Sequence, residues 1–182
     1  SQKKKKVSEL KTFPVPFALE EIKENITITT NTPSKASKEQ IINQALKFHS
    51  QGNIPEAAKY YQYFINKGFE DHTVFSNYGV ILKNLGKLQE AESSLRKAIK
   101  INPEYAMAHY NLGKVLIALN KLQDAELSTR KAIELNSDYA EAHLNLGLIF
   151  SKRGKLQEAE LPTRKAIELN PNLADAHSNL GN

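Results

Sequence analysis

The stretch that decides the fold runs from Lys155 to Asn170 and reads KLQEAELPTRKAIELN. Residues 121–136, which lie 34 positions earlier, read KLQDAELSTRKAIELN and differ at only two positions. A looser copy, KLQEAESSLRKAIKIN, occupies residues 87–102. Self-similarity at a fixed period of this length indicates an array of stacked supersecondary units. The repeat therefore argues against a single catalytic centre that organises the chain.

Composition narrows the class of protein. The 182 residues are 40% hydrophobic and 25% charged, which is enough apolar content to bury a core. Cysteine is absent, which excludes disulfides and thiolate chemistry and fits a cytoplasmic location. No apolar run approaches the roughly 18 residues of a membrane-spanning helix. No apolar segment of a secretory signal follows the Lys3–Lys6 run, so we expect no membrane partner.

The basic character is concentrated at the N-terminus. The net charge is +5, and residues 1–37, with seven lysines and four glutamates, account for +3 of it. A lysine run can contact phosphates, but in this composition it is typical of a solvated, largely flexible tail. The rest of the chain offers no continuous basic stripe, so nucleic acid is not the expected partner.

Four local patterns stand out in and at the end of this tail. Phe13-Pro14-Val15-Pro16 is expected to be extended, because proline restricts both itself and its neighbour. The apolar spacing that follows predicts a short amphipathic helix over about residues 17–25. Residues 26–30 alternate β-branched side chains but are too short and isolated to predict a sheet. Ser37 followed by Gln40 is a capping box, so a helix is predicted to begin at Lys38.

From Lys38 onward the 34-residue frame closes four times. The units are residues 38–71, 72–105, 106–139 and 140–173, and a partial fifth unit covers 174–182. Each unit reads as two amphipathic helices joined by a turn at Gly52, Gly86, Asn120 or Gly154, where a left-handed residue is expected. Asn-Pro pairs at 102–103 and 170–171 are expected to end second helices. In the third unit the predicted inward positions are Ala108, Leu112, Val115, Leu116 and Leu119, then Leu122, Ala125, Thr129, Ala132 and Ile133. The sequence predicts an all-α fold of stacked hairpins.

The pattern over residues 38–182 resembles the tetratricopeptide repeat. The matching residues are the Leu-Gly pairs 112–113 and 146–147, with Tyr78-Gly79 close to them, the alanines Ala57, Ala91, Ala125, Ala159, Ala98, Ala132 and Ala166, and Pro103 and Pro171. The chain departs from the pattern at Gln44-Ala45, Phe64, Phe69 and Ser137. The resemblance implies a right-handed α-solenoid whose first helices line a concave groove.

The first unit is the most divergent and carries six aromatic residues, Phe48, Tyr60, Tyr61, Tyr63, Phe64 and Phe69. Terminal units of a solenoid are usually atypical, so we interpret these side chains as a capping core. The alternative is a platform on which a ligand stacks.

Candidate catalytic or metal-binding residues are few. His109, His143 and His177 recur at one position, but neighbouring repeats place them about 10 Å apart. Zinc needs its ligands about 2 Å from one centre, so we interpret the histidines as packing residues. Glu92–Arg96, Glu126–Arg130 and Glu160–Arg164 are i,i+4 pairs that predict a solvated outer face. The sequence contains no phosphate-binding loop or nucleophile motif, so we expect no enzyme, no cofactor and no metal.

One series does indicate a function. The sixth position of every unit is asparagine, and we call Asn43, Asn77, Asn111, Asn145 and Asn179 the asparagine series. In the implied fold these amides would form a ladder along the groove, where each can both donate to and accept from the backbone of an extended peptide. The series resembles the asparagine ladder in the repeat arm of the O-linked N-acetylglucosamine transferases. The alternative is that these amides bond within the hairpin or to the next unit.

The predicted function is a scaffold that binds protein or peptide in the groove. The candidate binding residues are the asparagine series together with Tyr110, Lys114, Leu144 and Leu148. Family members that hold the C-terminal carboxylate of chaperones need a basic clamp, and this chain lacks the full set of matching positions. An alternative function is the substrate-recognition arm of a larger enzyme, such as a glycosyltransferase, with its catalytic part beyond Asn182.

The sequence also predicts contacts at both ends of the chain. The incomplete fifth unit would leave an apolar edge, which predicts self-association through the C-terminal end. Residues 13–28 are unusually apolar for a linker. They are therefore predicted to dock either on the first unit or in the groove.

Overall fold

A computed structural model describes residues 12–13, 26–27 and 37–173 of the chain. The chain divides into two compact units, Ser1–Phe69 and Glu70–Asn182. The predicted helix over residues 17–25 and the partial fifth repeat, with His177 and Asn179, lie outside the described residues. The predicted division into a tail and a repeat array at residue 37 stays a prediction.

The first unit contains a short strand pair and one helical hairpin. Strand β1 (Thr12–Phe13) pairs antiparallel with β2 (Ile26–Thr27), and Phe13 lies opposite Ile26. The expectation that residues 26–30 join no sheet was therefore wrong. The separation in sequence concealed the pairing, because the partner residue lies thirteen residues upstream of Ile26.

The hairpin of the first unit consists of α1 (Lys38–Ser50) and α2 (Ile54–Asn66). The predicted capping box is confirmed. The Ser37 hydroxyl accepts a hydrogen bond from the Gln40 backbone N–H at 3.2 Å, and Gln40 Oε1 accepts one from the Ser37 N–H at 2.9 Å.

Aromatic side chains form the core of this hairpin, as the first of the two interpretations requires. Tyr61 and Phe64 are fully buried and Tyr63 is nearly so. The Tyr61 hydroxyl lies 3.0 Å from His49 Nδ1, which satisfies the polar end of a buried ring. These buried rings are unavailable as a platform for a stacked ligand.

The second unit consists of three hairpins. The helices are α3 (His72–Asn84), α4 (Leu88–Ile101), α5 (Ala106–Ala118), α6 (Leu122–Leu135), α7 (Ala140–Lys152) and α8 (Leu156–Leu169). Each first helix packs on the second helix of its own hairpin, and α4 and α6 each pack on the first helix of the next hairpin. The all-α helical-repeat solenoid is thus confirmed.

The first helices of this unit also pack on one another. Helix α5 contacts both α3 and α7, whereas the second helices of neighbouring hairpins contact each other less. The first helices therefore form a continuous layer of their own. We call the exposed side of α3, α5 and α7 the first-helix surface.

The core of the second unit follows the predicted stripe. Leu112, Val115 and Leu116 of α5 are buried against Ala125 and Ala132 of α6. The predicted turns are also confirmed, since Gly52, Gly86, Gly154 and Asn120 all have positive φ, with Asn120 at 57°. Asparagine tolerates this left-handed conformation better than other residues with a Cβ.

Candidate peptide-binding surface

The described members of the asparagine series differ in their surroundings. In the first unit, Asn43 is exposed on α1. In the second unit, Asn77 and Asn111 are half-buried on α3 and α5, and Asn145 on α7 is only 9% exposed. Asn77, Asn111 and Asn145 form a row at one frame position of α3, α5 and α7, and α5 packs between the other two helices.

The amide nitrogen of Asn145 is buried and has no hydrogen-bond partner among the residues that the structure describes. A buried donor without an acceptor costs about 1–3 kcal/mol, because it has lost its bonds to water. Such groups are rare in native proteins. For Asn145, this argues against the alternative in which the amide nitrogen bonds within the hairpin.

Two tyrosines stand next to this row. The rings of Tyr110 and Tyr139 pack with their centroids 4.8 Å apart, and Lys114 Nζ lies 5.3 Å from the centroid of Tyr110. Burial raises the pKa of Tyr139, and the neighbouring Tyr110 and Glu141 raise it further. These side chains therefore form a partly desolvated aromatic patch with a lysine over one face.

Tyr139 and its counterpart Tyr105 were not predicted from the sequence. Each is the last residue of its 34-residue frame and directly precedes a first helix. Tyr105 packs edge-on against the His72 ring at a centroid distance of 4.8 Å. The recurrence of tyrosine at this frame position in two successive units was the available signal.

The apolar candidates Leu144 and Leu148 lie on α7, one residue before and three residues after Asn145. Both are half-buried. They are one turn apart, so they leave partly exposed apolar area along the same side of the helix next to Asn145.

A second lysine, Lys83, also concerns this surface. Burial lowers the pKa of Lys83 on α3, and the positive charge of Lys114 on α5 lowers it further. The two ammonium groups are thus close enough to repel each other across the neighbouring helices.

The two recurring histidines that the structure describes, His109 and His143, are hydrogen-bonded packing residues, as interpreted. His109 Nε2 lies 2.9 Å from the carbonyl oxygen of Pro103, and His143 Nε2 lies 2.9 Å from that of Ser137. Each ring thereby ties its helix to the preceding loop. Within the described residues, no group of histidine, aspartate and glutamate is arranged to hold a metal ion.

The glutamate–arginine pairs form as predicted, but two of them are not on a solvated face. Glu92 and Glu126 bond Arg96 and Arg130 at 2.9 and 3.0 Å, yet their side chains are only 13% and 17% exposed. Each also bonds a cation of the next hairpin: Lys121 for Glu92 and Arg153 for Glu126. Only the pair Glu160–Arg164 matches the predicted exposed pairing. The i,i+4 spacing could not reveal the second cation.

None of the helices in the described part of the chain combines the length and apolarity that crossing a membrane requires.

Comparison with solved structures finds many similar folds. MamA, from residue 41 to its end, of Desulfovibrio magneticus RS-1 is 25% identical, with a TM-score of 0.70 over 79% of this chain and 81% of its own. YrrB, described as a TPR protein with an unusual peptide-binding site, is 19% identical, with a TM-score of 0.72 over 81% of this chain and 76% of its own. The first TPR of Spaghetti (RPAP3), bound to the HSP90 peptide SRMEEVD, is 26% identical, with a TM-score of 0.59 over 60% of this chain and 87% of its own.

Sequence comparison identifies the repeat itself. No curated protein is significantly similar to the chain. Family models described as TPR repeat and tetratricopeptide repeat match residues 79–120, 106–139 and 140–173. Together these matches extend from residue 79 to residue 173, a little over half of the 182 residues. The chain belongs to the tetratricopeptide repeat family.

Proposed function

We propose that this chain binds an extended segment of a partner protein along the first-helix surface. The asparagine side chains of α3, α5 and α7 would bond the peptide backbone, and the neighbouring tyrosines and leucines would contact its side chains. Asn43 and Asn179 remain predicted members of the series, and the proposal rests on Asn77, Asn111 and Asn145.

The observation that carries the proposal is the unpartnered amide nitrogen of Asn145. A turn of the amide toward the first-helix surface would expose this nitrogen to a peptide carbonyl oxygen, which would supply the missing acceptor. Leu144 and Leu148 flank Asn145 on one side of α7, so a backbone bonded here would bring peptide side chains near apolar area.

Peptide binding by two proteins of similar fold supports the proposal. YrrB has a peptide-binding site, and the first TPR of Spaghetti (RPAP3) binds an HSP90 peptide. Neither identifies the partner of this chain. The alternative of a recognition arm of a larger enzyme stays a prediction.

A single substitution separates a binding role from a structural one. Asn145→Leu replaces the amide with an apolar group of similar size and removes the unpaired donor. We expect the free energy of unfolding to rise by about 1 kcal/mol and the affinity for bound peptides to fall about tenfold. The probes are peptides selected by the full chain from a random 12-residue display library, and the measurements are urea unfolding and fluorescence anisotropy.

The control is the same substitution at Asn136. Its Oδ1 accepts a hydrogen bond from the Asp138 N–H at 3.2 Å, away from the first-helix surface. Asn136→Leu should therefore lower stability by about 1 kcal/mol and leave peptide affinity unchanged. If Asn145→Leu behaves in this second way, Asn145 is a structural residue and the proposed function loses its support.

A further inference from the structure

Two lysines on the first-helix surface lack the neutralising partners that Lys131 and Lys165 on the second helices have. Lys131 and Lys165 bond Glu134 and Glu168 at 2.6 and 2.8 Å. Lys83 and Lys114 form no ion pair with any residue in the described part of the chain. Two positive charges on one surface are thus left without an anion.

These lysines lie on neighbouring helices. Helices α3 and α5 pack together, and the charge of Lys114 acts on the half-buried Lys83. Like charges at short range repel, and partial burial weakens the screening by water. An anion placed between the two ammonium groups would relieve this repulsion and gain attraction from both.

The surroundings of Lys114 limit where its ammonium can go. Lys114 Nζ stands over the ring of Tyr110, and that ring is itself packed against Tyr139. A cation over an aromatic face is attracted to it, so the long side chain is partly ordered before any ligand binds. Because the side chain is already partly ordered, less conformational entropy is lost when a ligand binds.

The position of this pair relative to the asparagines indicates which anion it would take. Lys114 lies three residues after Asn111, about 4.5 Å further along the axis of α5. A peptide backbone bonded to Asn111 would continue past it, toward Asn77 on α3 and toward Asn145 on α7. The anion reaching the lysines would then be a side chain from the middle of the peptide, not its C-terminal carboxylate.

We propose that Lys83 and Lys114 form a subsite for the carboxylate side chain of an aspartate or glutamate within the bound peptide. The proposal rests on the proposed function, because it requires the peptide to lie along the first-helix surface. It makes the chain selective for acidic segments, although the asparagine amides themselves read only backbone.

The test compares selections from the random 12-residue display library. The full chain should enrich aspartate and glutamate severalfold over their frequency in the starting library. The variant carrying Lys83→Gln and Lys114→Gln should lose this enrichment. A control variant carrying Lys100→Gln and Lys131→Gln has the same change in net charge on the second helices α4 and α6, and should keep the enrichment.

A second measurement fixes the chemistry of the anion. Peptides selected by the parent are resynthesised with blocked ends and with the enriched acidic residue changed to glutamine or to phosphoserine. We expect glutamine to weaken binding to the parent about tenfold and to have little effect on binding to the Lys83→Gln, Lys114→Gln variant. Phosphoserine that binds much more tightly than the carboxylate would overturn the assignment in favour of a phosphopeptide.

The outcomes distinguish a failure of this subsite from a failure of the proposed function. Selected peptides that depend on Asn145 but carry no acidic enrichment would overturn the subsite and leave the proposed function standing. Enrichment that the Lys100, Lys131 control also loses would reduce the effect to net charge and overturn the subsite as well. Failure to select any peptide would overturn both.

Discussion

At the scale of single residues, glycine sets how closely the two helices of a hairpin approach. A Cβ atom built on Gly113 would lie 2.4 Å from Thr129 Oγ1, and one built on Gly147 would lie 2.2 Å from Thr163 Oγ1. Cβ atoms in native proteins essentially never approach a non-bonded heavy atom that closely. The Leu-Gly pairs predicted a close approach, because a small residue at this position admits the neighbouring helix. The sequence did not reveal that a threonine hydroxyl is the atom that fills the space.

We expect Gly113→Ala to destabilise the chain by about 1–3 kcal/mol, because the new methyl group overpacks the hairpin. Adding Thr129→Ala should restore most of this loss, since the next atoms, Ala125 O and Thr129 Cβ, lie at 3.6 and 3.7 Å. The Thr129 hydroxyl is buried without a partner, so its removal breaks no hydrogen bond. Urea unfolding of the two single variants and the double variant gives the coupling energy.

The hairpin of α7 and α8 supplies the control for this cycle. A Cβ at Gly147 would also meet the backbone oxygen Ala159 O at 3.3 Å, and the Thr163 hydroxyl donates a hydrogen bond to that oxygen at 2.7 Å. Thr163→Ala should therefore rescue Gly147→Ala less well. Additive losses at Gly113 and Thr129 would show that the threonine hydroxyl does not set the helix separation.

At the scale of the helix, the second helices of the second unit end for a different reason from the one the sequence suggested. The sequence indicated proline as the stop at residues 103 and 171, but α6 ends at Leu135 with serine at position 137. Asn102, Asn136 and Asn170 each accept a hydrogen bond from the N–H two residues later, at 3.1–3.2 Å. This local turn is common to all three helices, so asparagine is the shared stop signal.

Proline inside α8 offers a test of helix energetics. The helix runs without a break from Leu156 to Leu169, although Pro162 cannot donate a hydrogen bond to the carbonyl of Glu158. At the equivalent position in α4, the Ser94 hydroxyl donates a hydrogen bond to Phe75 O across the hairpin at 2.7 Å. Serine at position 162 would restore the helical N–H and bring a hydroxyl to the same place.

We expect Pro162→Ser to raise the free energy of unfolding by about 1–3 kcal/mol. The reverse change in the sister helix, Ser128→Pro, should lower it by about 3 kcal/mol, because α6 is not adapted to proline. Urea unfolding measures both. A Pro162→Ser chain no more stable than its parent would mean that the surrounding helix has already absorbed the missing bond.

At the scale of the whole molecule, the period predicted more than any single residue did. Each first helix begins at a residue of the 34-residue frame, Lys38, His72, Ala106 and Ala140, because the inward positions recur with the same spacing. Contacts between repeats were harder to predict. The burial of Asn145 and the pairing of Tyr110 with Tyr139 depend on the neighbouring hairpin, and no periodic pattern specifies them.

Charged contacts between hairpins are the clearest case. Glu92 on α4 bonds Arg96 in its own helix and Lys121 at the start of the next second helix, at 2.9 and 2.7 Å. In a solenoid, stability depends on such terms between neighbouring repeats as well as on each repeat alone. Glu160 occupies the same frame position, bonds Arg164 in its own helix at 2.8 Å and is 55% exposed. Comparing substitutions of Glu92 and Glu160 therefore distinguishes the effect of an ion pair between hairpins from that of an ion pair within one helix.

This difference predicts how stability depends on pH. The hydrogen bond from Lys121, followed by that from Arg96, holds the pKa of Glu92 below its ordinary value of 4.5. A carboxylate with a lowered pKa stabilises the folded state fully above its unfolded pKa and loses that contribution as the pH falls through its folded pKa.

We expect Glu92→Gln to cost about 1–2 kcal/mol near neutral pH, with the difference from the parent shrinking below about pH 4.5. Glu160→Gln should cost little at any pH, because a largely exposed pair is screened by water. Urea unfolding from about pH 3 to pH 7 measures both differences. A loss for Glu92→Gln that stays constant down to the lowest pH, or an equal loss for Glu160→Gln, would show that charge pairing between hairpins does not stabilise the array.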